Sequence, residues 1–169
     1  MKNQGKFMLK IPLALLLLCL ITFGCSSSSK TQPSSDILGI RIGMSKEDTI
    51  KRLQEIGKLD REERKQQEIW TLNNDPHYSH LILAFDKEKQ DVRYITAKAL
   101  ENGSRVRYSD VLDISKAKLV TSPNNYKYIQ EVQASGPTPG YSRIASGTSA
   151  DYLNYFSLKE LNLPEEESK

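Results

Sequence analysis

The chain is poor in the residues that most often announce chemistry. Among 169 residues there are two cysteines, two histidines and one tryptophan. No Gly-x-Ser-x-Gly elbow, phosphate loop or dinucleotide fingerprint occurs, which removes the commonest signatures of hydrolases, nucleotide enzymes and oxidoreductases. A surplus of positive charge is also missing. Lys+Arg number 24 against 21 Asp+Glu, but Lys2, Lys6 and Lys10 crowd into the first ten residues, and without those three the bases equal the acids at 21. Nucleic-acid binding needs excess positive charge to displace counterions, so no nucleic-acid partner is expected. With 38% apolar and 27% charged residues, the remainder has the composition and length of one globular domain.

What is present begins with an address. Met1–Lys10 is polar and basic, and Ile11–Phe23 is an apolar run interrupted only by Pro12 and Thr22. As a helix that run spans roughly 20 Å, short of the ~30 Å bilayer core. A basic head, a short apolar stretch and small residues behind it describe a secretory signal, with a transmembrane anchor as the alternative.

Ile21-Thr22-Phe23-Gly24-Cys25 resembles a bacterial lipobox. It departs from the usual pattern at Thr22, where Leu is common, and at the bulky Phe23. The resemblance implies a lipoprotein signal peptide over 1–24 and a lipid anchor at Cys25, which would carry a thioether diacylglycerol and an N-acyl chain such as palmitate. Each buried CH₂ is worth about 0.8 kcal/mol, so several chains hold a protein to a bilayer where one does so marginally. Ordinary cleavage after Thr22-Phe23-Gly24 is the competing outcome. Cys19 leaves with the signal in either case, and an acylated Cys25 leaves no thiol for a disulfide, a metal or a nucleophile. Ser26 rather than Asp follows the cysteine, which by resemblance to sorting signals points to the outer membrane, facing the periplasm.

Residues 25–36 (CSSSSKTQPSSD) read as a Ser-rich tether, about 15–20 Å in root-mean-square reach. Ser45, followed by Glu47 and Asp48, starts a helix over 46–56 with Ile50, Leu53 and Ile56 on one face. Gly57 is expected to end it as a left-handed cap. The polar-charged run 60–68 (DREERKQQE) reads as a solvated helix or loop. The period then changes to two: a short strand at 69–72, a strand with Leu81, Leu83 and Phe85 on one face, and a strand from Val92 to Ala97 paired antiparallel to it across the turn 86–91. Further on, 106–118 reads as a strand and a helical turn, and strands are expected at 126–133, 141–145 and 152–157. Turns are signalled at Asn102-Gly103, at 122–125 and at 136–140. Pro164–Lys169 is a polar tail, and no internal repeat is evident.

Gly39-Ile40-Arg41-Ile42-Gly43-Met44-Ser45, with Asp48, Ile50, Leu53 and Gly57, resembles the opening of the SmpA/OmlA (BamE-like) lipoprotein domain. Trp70 in the first strand and the pattern Leu81, Leu83, Phe85, Asp86, Val92 follow in that family's order. The likeness covers 36–98. It departs at the helix end, where Leu-Gly-x-Pro is usual, and in the hairpin turn, which lacks a glycine. The resemblance implies an α+β fold, with one or two helices packed on a mostly antiparallel sheet, as a single domain over 37–163 whose BamE-like part is 37–98. It also implies a non-catalytic role in outer-membrane assembly or maintenance. Related helix–sheet domains occur in β-lactamase-inhibitor-like proteins, which makes a module that binds a secreted enzyme, through loops such as Asn73–Ser79, the first alternative.

Three groups of residues invite a chemical reading. Asp75-Pro76-His77-Tyr78-Ser79-His80 holds His-x-x-His beside an acid, but a metal site needs a third ligand, and a polar turn is the expected outcome. A small exported hydrolase would require His77 or His80 in a pocket next to a hydroxyl or carboxylate. Asp110 and Asp113 are close in sequence, as turn acids often are. Tyr126, Tyr128, Tyr141, Tyr152 and Tyr155 are expected in strands, either packing the sheet or forming an aromatic face for a partner. No catalytic residue, cofactor or metal is expected. The expected partners are a lipid bilayer, through Cys25, and a protein of the envelope.

Overall fold

The computed structural model describes residues 35–161, apart from 64–66 and 104. The first helix, α1, runs Lys46–Ile56. The Ser45 hydroxyl accepts the Asp48 N–H at 3.2 Å and donates to the Asp48 carboxylate at 2.8 Å. Leu53 and Thr49 face the interior, and the Thr49 hydroxyl returns to the Ser45 carbonyl at 2.7 Å. Gly43 precedes the helix at φ +77°, a conformation that favours glycine.

Gly57 corrects an expectation. It is extended, with φ −164° and ψ −171°, and opens strand β1, Gly57–Glu63, rather than capping in the left-handed region. Its missing Cβ matters for another reason: a methyl group there would lie 2.6 Å from the Thr71 carbonyl oxygen of the neighbouring strand.

The charged stretch expected as helix or loop supplies β1 and the start of β2, Gln67–Leu72. An edge strand bonds to one neighbour only, so β1 needs no apolar alternation. Its exposed Asp60, Arg61, Glu62 and Glu63, with a bulge between Leu59 and Arg61, suit an edge that discourages further pairing. Next come β3, Tyr78–Phe85, and β4, Val92–Ala99, paired antiparallel across a turn in which the Asp86 carboxylate accepts the N–H groups of Glu88 and Lys89. Those two bonds hold the Asp86 carboxyl below its usual range.

After β4 comes a single helical turn, α2, Tyr108–Val111, then a 3-10 turn at Ile114–Lys116. Four strands complete the fold: β5 Lys118–Ser122, β6 Asn125–Val132, β7 Tyr141–Gly147 and β8 Tyr155–Glu160. All eight strands form one antiparallel sheet in the order β1-β2-β3-β4-β8-β7-β6-β5. This overturns the expected α+β class. The protein is an eight-stranded β-sheet with one helix longer than a single turn among the described residues. The polar segments at the two sheet edges, β1 and β5, became strands by pairing with the strand that follows each in sequence.

The order also shows a repeat that the sequence did not disclose. Each half is an entry segment, a helix and a four-strand meander, and the halves meet along β4 and β8. The entry segments dock alike. Gly43 N–H bonds the Val92 carbonyl and Val92 N–H the Met44 carbonyl, both at 2.8 Å, while Leu153 N–H bonds the Val106 carbonyl at 3.0 Å. A pseudo-twofold axis therefore passes between β4 and β8.

One face of the sheet is covered. Trp70, Leu81, Leu83, Ile95, Phe156 and Leu158 join one core with Leu53 of α1, Val111 of α2 and the entry residues Ile37, Ile40 and Ile42. Trp70 and Phe85 lie in this core, and Met44 packs against it.

Candidate functional site

Cys25, the expected lipid anchor, lies outside the described residues, as do the signal segment and the polar tail. The loop before β3 is a turn organised by Asp75, whose Oδ1 accepts the N–H groups of His77 at 2.9 Å and Tyr78 at 2.7 Å. Asn74 sits beside it at φ +55°. Among the described residues no group of three His, Cys, Asp or Glu side chains converges on a metal-sized site.

His80 does meet a hydroxyl. Its Nδ1 is 2.9 Å from Ser79 Oγ, beside an open recess of about 430 Å³ that Lys98 and Glu101 also line. Ser79 Oγ also donates to the Lys98 carbonyl at 3.3 Å. Among the described residues no carboxylate bonds the other ring nitrogen, so the pair lacks the third group that orients an imidazole for proton transfer.

Asp110 and Asp113 are structural acids. Asp110 accepts the Arg107 N–H at 2.8 Å at the start of α2, and Asp113 accepts the hydroxyl and N–H of Ser115. Bonds to Ser115 and the nearby Lys116 ammonium hold the Asp113 carboxyl low. The tyrosines do not form one face. Tyr141 is in the covered core and Tyr126 and Tyr128 pack against it, whereas Tyr155 projects from the opposite side of the sheet.

The pseudo-twofold relates two recesses beside the helix starts. In the first half Lys46 pairs with Glu68 at 3.5 Å and lies over the Phe85 ring, while Glu68 accepts the Trp70 indole N–H at 3.0 Å. The equivalent place in the second half is a cleft of about 460 Å³ walled by Tyr108, Tyr128 and Tyr152. The rings of Tyr108 and Tyr128 are 4.7 Å apart, and the Arg105 guanidinium lies over Tyr152. The first recess, about 250 Å³, is lined by an ion pair, and the second is aromatic.

The largest built feature is the other face of the sheet. A row of paired residues crosses all eight strands: Arg61, Ile69, Ile82, Thr96, Ser157, Ile144, Ile129 and Lys118. Read from the centre outward, each half has a hydroxyl, two isoleucines and a base. Thr96 Oγ1 and Ser157 Oγ are 2.7 Å apart, and the Tyr94 hydroxyl reaches Thr96. On either side of the row Tyr94 stands opposite Lys159 and Tyr155 opposite Lys98. Among the described residues no helix or entry segment packs on this face, because their core residues all join the other one.

The sequence reading missed this face, although a signal for it exists. Tyr94-Ile95-Thr96-Ala97-Lys98 and Tyr155-Phe156-Ser157-Leu158-Lys159 share the pattern Tyr-x-hydroxyl-x-Lys with an apolar residue at each x. A five-residue likeness means little until the two segments are seen to be symmetry mates. Comparison with protein-family profiles, curated proteins and solved structures finds no match for the chain.

Proposed function

We propose that this chain is a membrane-anchored cell-envelope lipoprotein that works by binding and scaffolding rather than catalysis. The observation that carries the binding reading is the sheet face on which, among the described residues, no helix or entry segment packs. Half-buried Ile82, Ile129 and Ile144 and the tyrosines Tyr94 and Tyr155 lie there between polar flanks, the layout of a protein-binding patch. The anchor rests on the lipobox-like Cys25 and the Ser-rich tether behind it, and Ser26 supports the outer membrane. The order of Gly43, the helix and the hairpin after it supports an SmpA/OmlA-like first half, with a role in outer-membrane assembly or maintenance.

Two experiments test the two parts. If Cys25 is acylated, the protein incorporates labelled palmitate, Cys25→Ala abolishes that labelling, and globomycin accumulates a larger precursor that retains residues 1–24; unchanged labelling in Cys25→Ala refutes the anchor. A photo-crosslinking residue at Ser146, on the open face, captures a specific envelope protein in intact cells, whereas one at Ser109, within α2, does not. Equal capture from both positions refutes binding through the open face.

A second reading, an inhibitor-like module, draws on the turn held by Asp75. Two carboxylate bonds and a left-handed Asn74 make Asn73–Ser79 a stiff projection able to enter a cleft. Recovery of a secreted hydrolase, with crosslinks from His77 rather than Ser146, selects that reading.

A further inference from the structure

We infer that the open face recognises an acidic protein surface, one that carries an aliphatic ridge between carboxylates. The inference rests on the binding reading above and adds the chemistry of the partner.

The neutral charge count of the mature chain conceals an uneven distribution. Strand register assigns Lys58, Arg61, Lys98, Lys118, Lys127 and Lys159 to the open face, and only Glu63 and Glu131 among acids. Arg61 is already engaged by Asp60 at 2.8 Å and Glu63 at 3.0 Å, and Lys98 is paired with Glu101, but Lys58, Lys118, Lys127 and Lys159 form no ion pair among the described residues. Register sets Lys118 and Lys127 two residues apart on neighbouring strands, about 8 Å and so near the screening length at physiological salt, whereas Lys98 and Lys159 stand four residues apart on opposite sides of the row. The bases lie at both ends of the isoleucine row and along its sides. A complementary partner therefore brings apolar atoms to the centre and carboxylates to the rim.

Other occupants fit less well. A second copy laid face to face would oppose lysines with lysines. A bilayer requires apolar side chains that protrude. Ile69 is buried, and Ile82, Ile129 and Ile144 are recessed among their neighbours, so the ridge has to come from the partner.

A carbodiimide, which joins a lysine amine directly to a carboxylate with loss of water, tests the chemistry in intact cells expressing the full-length protein. The supporting result is a set of amide bonds from Lys98, Lys127 or Lys159 to Asp or Glu side chains of one protein, the same protein captured by the photo-crosslinker at Ser146. Those bonds are lost in Lys98→Glu/Lys159→Glu, with its melting transition checked, and Lys127→Glu serves if the double variant does not fold. Capture at Ser146 with amide bonds absent, or formed only by Lys46, Lys51 or Lys116 on the other surface, overturns the acidic partner while leaving binding through the open face standing. No protein captured at Ser146, with crosslinks to phospholipid recovered there instead, overturns both and assigns the face to lipid.

Discussion

Thr96 on β4 and Ser157 on β8 are 61 residues apart in sequence, yet their hydroxyl oxygens meet at 2.7 Å at the centre of the eight-stranded sheet. Both side chains are buried, although among the described residues no helix packs on their face. They mark the place where the two half-sheets become one, and the pseudo-twofold passes between them.

Replacing Thr96 with Val is expected to cost about 1–3 kcal/mol, because the buried Ser157 hydroxyl loses its partner on that side. The double variant Thr96→Val/Ser157→Ala is expected to be less destabilised than the sum of the single changes, since neither residue of the pair is then left with a hydroxyl lacking its partner across the β4–β8 seam. Urea unfolding of the four proteins in the cycle measures the coupling. Strict additivity would show that the contact does not hold the halves together.

Glu68 is buried, and its carboxylate accepts the indole N–H of Trp70 while Lys46 stands 3.5 Å away. Glu68→Leu leaves that N–H without an acceptor and is expected to destabilise the fold by about 1–3 kcal/mol. Glu68→Gln keeps an acceptor oxygen and is expected to retain most of the stability. Trp70 is the sole tryptophan, so its fluorescence reports both unfolding and the local change.

Gly57→Ala is expected to destabilise by roughly 1–3 kcal/mol, the usual range for forcing a group into a packed site. The obstacle is a backbone carbonyl 2.6 Å from the new Cβ, which cannot rotate aside as a side chain would. A left-handed position would instead be rescued by Asn. Gly57→Asn is therefore expected to be no better than Gly57→Ala in the same melts.

Stability is expected to fall in alkali. Burial, helped by the charges of Asp75 and Asp110, pushes the Tyr78 phenol up to about 12, and burial with Tyr128 and Tyr126 nearby raises Tyr108 to about 12. An unfolded tyrosine ionises near pH ~10. Between about 10 and 12 the folded protein keeps protons that the unfolded chain releases, so stability is full below that window and declines through it. Unfolding midpoints across this range should drop, and Tyr78→Phe should make the slope shallower. A midpoint independent of pH there would contradict the burial of both phenols.

Legibility tracked the range of the interactions. The helix at 46–56 and the hairpin of β3 and β4 follow from spacings of two to four residues, and both stand where the periodicity placed them. The charged run 60–68 misled because its charges say only that the segment is wet, which an exposed edge strand satisfies as well as a helix. Gly57 misled differently. A glycine after a helix is ordinarily read as a cap, and here the need was set by Thr71, fourteen positions away and on another strand.

By itself the sequence determined local conformation, the export-like leader, the candidate acylated cysteine and the overall charge balance, since each depends on residue type and near-neighbour spacing. Only the tertiary structure decided that two half-sheets join through β4 and β8, that isoleucines from four strands align in one row, and that Lys58, Arg61, Lys98, Lys118, Lys127 and Lys159 share a face with it. Those outcomes depend on cross-strand register, and register is settled by burial and pairing between segments far apart in the chain rather than by any pattern within one of them.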